Sequence, residues 1–390
     1  MVPVLRTLAL LFYLSGFAIV GSPAEGAGSP VVEANAAFAF DLYRAVRQRE
    51  GNLFLSPYSI SVALAMTRTG AAGETASQMD TVLHLPSEGV AEGHRELARQ
   101  LEPPLEPESD EEGAPRIPSY ELKVANALWG QEGFPFREPF LALLGDAYRA
   151  PLARVDFTRS EEARARINGW VEEQTAKRIR NIIPEGQPSP DTRLALANAI
   201  YLKAPWREPF KLGRTAEAPF TTSTGEQVTA HFMHQSESLG YAGMDDLQVL
   251  SLPYRDERLS MVILLPRKEE GLGDLEARLD PEQLTEWLSA LQPVHVRVTL
   301  PRFEFGSSFD LTGTLAEMGM RDAFDQERAD FSEMAEAKLF IGLVLHKAYV
   351  GVDEEGTEAA AATAVLMTLA GAPLEPTVEF RADHPFLFLI

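Results

Sequence analysis

The chain of 390 residues contains no cysteine, which excludes disulfides, thiolate metal sites and a cysteine nucleophile. Basic residues are also scarce: 35 Lys and Arg stand against 57 Asp and Glu, a formal net charge of -22. Such a charge repels phosphate at long range and argues against a general binder of nucleic acid or of anionic membranes.

Motifs of enzymes are missing as well. The sequence has no GxxxxGK[ST] loop and no G-x-S-x-G elbow, and Gly271-Leu272-Gly273 is not followed by the third glycine of a dinucleotide fingerprint. His231 and His234 fall in a strand-like segment, where positions three apart point to opposite faces. We therefore predict no catalytic residues, no metal site and no cofactor, and expect that the protein is not an enzyme.

What is present is an ordinary globular composition, with 45% hydrophobic and 24% charged residues. Ser56-Pro57 has the form of an N-cap followed by proline at the first helical position, which predicts a helix ending at Gly70. Residues 194–202 are almost continuously apolar and predict a strand buried on both faces. Helical and strand-like segments mix irregularly, which favours the α+β class with mostly antiparallel sheets.

The first residues have the pattern of a secretory signal peptide. Arg6 is the only charged residue before Glu25, and the apolar run from Leu8 to Val20 is followed by the small-residue stretch GSPAEGAG. The run is too short to span a bilayer as a helix. We therefore predict a signal peptide over residues 1–24, export to a secreted, periplasmic or extracellular location, and no stable membrane association.

The segment from Val352 to Phe380 is unusual because it contains no Lys or Arg and passes from acids and a glycine into a run of alanines. Taken alone, four consecutive alanines indicate a short helix or a small-residue spacer. A sharper interpretation depends on the rest of the chain.

Four separated segments of this sequence resemble the serpin family of serine protease inhibitors, whose members carry a mobile reactive-centre loop. The segments are NLFLSPYSISVALAMTRTGAAGET (52–75), NAIYLKAPWREPF (198–210), LHKAYVGVDEEGTEAAAAT (345–363) and FRADHPFLFLI (380–390). The resemblance implies one serpin-like domain over residues 31–390. It also implies three β-sheets, about eight or nine surrounding helices, and an exposed reactive-centre loop that, together with its hinge, spans residues 354–379.

The resemblance also implies that the loop, once cut, enters a sheet as a new strand. The hinge would consist of Glu354, Glu355, Gly356, Thr357, Glu358, Ala359, Ala360, Ala361, Ala362 and Thr363. With a period of two, the inward positions would be Thr357, Ala359, Ala361, Thr363 and Val365, none of them charged. This favours an irreversible suicide inhibitor over the alternative, a non-inhibitory serpin-like binding or chaperone protein.

Family spacing places the scissile bond between Ala370 and Gly371, with Leu369 and Met367 as alternative specificity residues. Small and apolar residues suit elastase-like, chymotrypsin-like or subtilisin-like serine proteases, whereas the aspartate in a trypsin-like pocket would find no cation. The implied partner is a target protease held in a covalent acyl complex, and the implied state is a monomer.

Five polar or aromatic positions match sites that control loop insertion in similar proteins: Ser56, Ser59, Asn198 and His346 as a shutter beneath the sheet, and Trp206 at the breach where the loop enters. Residues 76–119 carry more acid than base, so we expect no heparin activation. Similar proteins continue past HPFLFLI into another buried strand, whereas this sequence ends at Ile390, which predicts that a core strand is lacking.

Overall fold

Helices and strands alternate without a regular βαβ order in the computed structural model, which describes residues 29–107, 116–357 and 378–390. Within these ranges lie nine α-helices: α1 Pro30–Val46, α2 Pro57–Arg68, α3 Gly73–Val82, α4 Val90–Gln100, α5 Glu138–Tyr148, α6 Ser160–Gln174, α7 Leu272–Arg278, α8 Pro281–Ser289 and α9 Thr312–Met318. None of the described helices is long and apolar enough to cross a membrane.

Fifteen strands lie in the same described ranges: β1 Leu105–Pro107, β2 Arg116–Pro118, β3 Glu121–Gln131, β4 Ala153–Val155, β5 Leu194–Pro205, β6 Ala216–Thr221, β7 Gln227–Gly243, β8 Leu247–Pro253, β9 Ser260–Pro266, β10 Gln292–Pro301, β11 Phe303–Asp310, β12 Leu343–Val352, β13 Gly356–Thr357, β14 Val378–Arg381 and β15 Leu387–Leu389. They form a two-stranded, a seven-stranded and a six-stranded sheet. The predicted α+β class is confirmed.

The start of α2 follows from its local sequence. The side chain of Ser56 accepts a hydrogen bond from the backbone N–H of Ser59 at 3.2 Å, and Pro57 occupies the first turn, where its missing N–H costs nothing. The helix ends at Arg68, two residues before the predicted Gly70.

The end of α6 differs more from expectation. An apolar face at Ile167, Trp170, Val171 and Ile179 predicts a helix from Ser160 to Ile179, but the helix stops at Gln174. Ala176 and Lys177 have φ angles of 50° and 63°, in the left-handed region that L-residues rarely adopt. Two such residues in succession end the helix and turn the chain back toward the sheet.

The six-stranded sheet, hereafter the central sheet, has the order β11-β12-β13-β5-β3-β4. Strand β5 is buried at every position from Leu194 to Leu202, as the apolar run predicts. On one face, Ala195 and Ala197 of β5 pack in a cluster with Ile167 and Val171 of α6, while Leu194 and Leu196 belong to the larger helical core on the other face. The central sheet is therefore covered on both sides.

The seven-stranded sheet has the order β14-β10-β7-β8-β9-β15, with β6 paired to β7. In β10, Val296, Val298 and Leu300 are buried and Arg297 is exposed. Thr299, which alternation along the strand places on the same face as Arg297, is nevertheless buried. Its hydroxyl lies 3.1 Å from Nδ1 of His234 on β7, so a polar contact satisfies it.

Candidate functional site

The central sheet is split at one end by the first residues of the predicted hinge. Over most of their length β12 and β5 pair directly and in parallel, from Leu343–Ala195 to Tyr349–Tyr201. At the C-terminal ends of these two strands, the upper end of the sheet, β13 lies between them. Gly356 pairs with Pro205, and Thr357 pairs with both Ala204 and Val352. The hinge thus begins as a short strand already inserted in the sheet.

A tight turn delivers the chain into this position. The Asp353 carboxylate accepts hydrogen bonds from the backbone N–H groups of Glu355 at 2.9 Å and Gly356 at 3.2 Å. A Cβ atom at Gly356 would lie 2.2 Å from the carbonyl oxygen of Ala204 and 2.7 Å from Cα of Pro205. Since both contacts are backbone atoms that cannot rotate away, glycine is required at position 356.

The segment from Trp206 to Phe210 holds the backbone of the hinge. The N–H groups of Trp206 and Phe210 donate to the carbonyl oxygens of Glu355 at 2.9 Å and Glu354 at 2.7 Å. The indole Nε1 of Trp206 donates to the carbonyl oxygen of Asp353 at 3.0 Å. The structure therefore places the predicted breach residue Trp206 directly against the hinge.

The hinge acids have unequal surroundings. Glu354 is buried, accepts a hydrogen bond from the Thr215 hydroxyl at 2.7 Å, and lies 3.7 Å from the guanidinium of Arg302. Partial burial, and then the negative charges of Asp353 and Glu354, raise the pKa of Glu355. The carboxylate of Glu355 is therefore repelled by those of Asp353 and Glu354 in the same turn.

The four predicted shutter residues form one buried hydrogen-bond network. His346 on β12 stands opposite Asn198 on β5 in the register of the sheet, and Nδ1 of His346 contacts Oδ1 of Asn198. Nε2 of His346 accepts from the N–H of Ser56 at 3.1 Å. The amide of Asn198 donates to Oγ of Ser59 at 2.5 Å.

Asn126 completes this network and was missed by the sequence analysis. It lies on β3 directly opposite Asn198, and its Oδ1 accepts from the Asn198 amide and from the Ser59 hydroxyl, the latter at 3.1 Å. The shutter therefore ties three neighbouring strands, β12, β5 and β3, to the first turn of α2.

The contacts of His346 fix its protonation. Because Nε2 accepts a hydrogen bond, the single proton of the neutral ring is on Nδ1 and is donated to Asn198. Complete burial lowers the pKa of His346 to about 3, although the contact with Asn198 acts in the opposite direction. The ring is neutral at physiological pH.

Several predicted site residues lie outside the described residues. They are the remaining hinge positions Glu358, Ala359, Ala360, Ala361, Ala362 and Thr363, and the candidates for the reactive bond, Met367, Leu369, Ala370 and Gly371. The proposed signal peptide over residues 1–24 also lies outside them. Within the described ranges, no group of three or more His, Asp or Glu side chains is arranged to hold a metal ion.

Comparison with known proteins shows which protein family has this sequence. The family model described as Serpin (serine protease inhibitor) matches residues 33–390. The leukocyte elastase inhibitor of Bos taurus is 43% identical over 369 residues, covering 92% of this chain and 94% of that protein. The leukocyte elastase inhibitor of Homo sapiens is 41% identical, with the same coverage.

Solved structures agree. Serpin48 of the insect Tenebrio molitor has a TM-score of 0.78 and 30% identity, and the alignment covers 91% of this chain and 93% of that one. The chain belongs to the serpin family. Together with relatives that are named protease inhibitors, this makes the protein an inhibitor of proteases rather than an enzyme.

The same relatives overturn one prediction. The N-terminal apolar run predicted an exported protein, but the leukocyte elastase inhibitors that this chain resembles are intracellular serpins without a signal peptide. The predicted secreted, periplasmic or extracellular location is therefore wrong. The physical reason is that a short apolar run bounded by small residues is a low-specificity pattern.

Proposed function

We propose that the protein is a monomeric suicide inhibitor of serine endopeptidases that traps its target by inserting the cleaved loop between β12 and β5. The observation that carries the proposal is β13: at the open end of the central sheet Thr357 already pairs with both β12 and β5, and Gly356 pairs with β5. Thr357 is 1% exposed and faces inward, the orientation required of the first inserted residue.

The covalent step would follow the ordinary chemistry of acyl transfer. The target's serine oxygen attacks the carbonyl carbon of Ala370, and its proton passes through the target's own base to the nitrogen of Gly371, which leaves as an amine. An ester then joins the loop to the protease. Insertion of about 14 residues at about 3.3 Å each carries that ester about 45 Å along the sheet, before water hydrolyses it.

The residues near the scissile bond set the class of target. Ala370, and the alternatives Leu369 and Met367, are small or apolar and fit elastase-like, chymotrypsin-like or subtilisin-like pockets. Relatives named for leukocyte elastase support the first of these classes. A trypsin-like enzyme, which requires a cationic side chain, is expected to be a poor target.

In this proposal the shutter network gates insertion. A new strand entering between β12 and β5 must separate His346 from Asn198, because these residues are register partners on the two strands. The network therefore holds the sheet closed below β13 until the loop is cut, and it must rearrange once the register pairs from Tyr349–Tyr201 to Lys347–Ala199 have opened.

The proposal is tested by incubating the purified chain with pancreatic elastase, chymotrypsin, subtilisin and trypsin, followed by denaturing gels and mass spectrometry of the cut bond. We expect a covalent complex with one or more of the first three enzymes, cut after Ala370 or a neighbour. Cleavage without any complex would contradict inhibition and indicate a non-inhibitory relative.

A pair of hinge variants separates insertion from cleavage. In Thr357→Arg, the buried inward position receives a long cation, so the loop should be cut at a normal rate without forming a complex. Glu355→Arg introduces the same side chain at a half-buried position among acids, and complex formation should persist. Equal complex yields from the two variants would argue against insertion at this point.

A further inference from the structure

A tyrosine of the seven-stranded sheet contacts the first inserted side chain of the hinge. Tyr254 follows β8, and its hydroxyl lies 2.6 Å from Oγ1 of Thr357. Each of the two residues is 1% exposed. The Tyr254 ring stacks on Trp206, with centroids 4.7 Å apart and planes 3° from parallel. The hydroxyl is thus held by a rigid aromatic pair, and it bridges the two large sheets where the loop begins.

The neighbouring Gly356 makes the register of this contact unambiguous. Any shift of the hinge along the strands would replace Gly356 at this point by a residue with a side chain. The Cβ atom of that residue would lie 2.2 Å from the carbonyl oxygen of Ala204. A shift of two residues, which keeps the facing of side chains, would present Glu355 or Ala359 to Tyr254 in place of a hydroxyl. The bond to Tyr254 therefore forms in one register.

We propose that Tyr254 is a positioning residue of the inhibitory reaction: its hydroxyl docks Thr357 and so sets how fast the cleaved loop begins to insert. The inference rests on the proposed function, because insertion competes with hydrolysis of the acyl ester. A hinge that is not docked must find its register after cleavage, and a larger share of the inhibitor is then hydrolysed without trapping the protease.

The first test needs no protease. Hydrogen exchange is measured by mass spectrometry on the uncut full chain at the N–H groups of Trp206 and Phe210, which are bonded to hinge carbonyls. Loss of one buried neutral hydrogen bond in Tyr254→Phe should speed this exchange about two- to tenfold. Tyr148→Phe is the matched control, since the buried Tyr148 hydroxyl has no hydrogen-bond partner among the described residues. Wild-type exchange in Tyr254→Phe would overturn the inference.

The second test measures how many inhibitor molecules are consumed for each protease trapped. Tyr254→Phe should raise this number and Tyr148→Phe should not. If Tyr254 acts through Thr357, the double variant Tyr254→Phe/Thr357→Val should be no worse than Tyr254→Phe alone. Additive losses would show a packing role for the tyrosine and overturn the inference.

The two tests also separate this inference from the proposed function. A wild-type chain that forms no covalent complex with any protease contradicts the proposed function, while the exchange measurement still decides whether Tyr254 docks the hinge. Unchanged exchange together with normal trapping contradicts the role of Tyr254 alone.

Discussion

Replacing His346 with alanine should destabilise the protein and release its central sheet. The change removes the imidazole that both of its neighbours contact. The buried N–H of Ser56 and the buried Oδ1 of Asn198 then lose their partner on β12. Each unsatisfied buried group costs about 1–3 kcal/mol, and loss of the imidazole, which stacks on Phe309 at 6.0 Å, adds a cavity. We expect a total loss of about 3–6 kcal/mol of unfolding free energy.

The assay is thermal and denaturant unfolding of purified His346→Ala beside the wild type, with size-exclusion chromatography after mild heating. The variant should melt lower and form polymers, because strands β12 and β5 separate more easily and admit the loop of another copy. His231→Ala serves as the control, since that side chain is exposed and its ion-pair partner Glu217 lies 3.9 Å away. An unchanged melting temperature without polymers would refute the gating role of His346.

Acidification tests the same residue independently. Since burial lowers the folded-state pKa of His346 from 6.5 to about 3, the unfolded chain binds the proton more readily between these values, and stability falls as pH falls from 6.5 toward 3. Between pH 7 and pH 5 the wild type should lose about 2 kcal/mol more than His346→Ala. Equal losses would show that His346 is not neutral and buried in solution.

Two further predictions concern the hinge and the chain's last segment. Gly356→Ala should expel the hinge from the sheet and speed hydrogen exchange at Phe210, whereas Gly213→Ala, with open space around its Cβ position, should not; equal exchange in both would contradict the close fit at Gly356. Burial alone would lower the pKa of His384, but its hydrogen bonds to Asp383 and to a backbone carbonyl outweigh burial and raise the pKa. The contribution of His384 to the free energy of unfolding is therefore complete below pH 6.5 and is lost as pH rises through the raised pKa. His384→Gln should remove that part of the stability change in denaturant titrations from about pH 6 to about pH 9, and an unchanged profile would contradict it.

Local patterns in the sequence determined much of the fold. A serine followed by proline at positions 56 and 57 is sufficient to start α2, because capping involves atoms within one turn. Continuous apolar residues over 194–202 predicted a strand covered on both faces, because burial of a strand is a property of its own side chains. The position of the hinge at the acids, Gly356 and Thr357 was a prediction from the resemblance to the serpin family, not from a local pattern.

Tertiary structure decided which side chains meet. Asn126 joins the shutter because β3 pairs with β5 in a register that places it opposite Asn198, and Tyr254 meets Thr357, 103 positions later in the chain, because two sheets come together at the breach. Strand register and the approach of separate sheets depend on the packing of the whole core. Helix caps and the period of two, by contrast, depend on neighbours along the chain, and for this reason the sequence predicted the start of α2 and the burial of β5 but not the contacts of Asn126 and Tyr254.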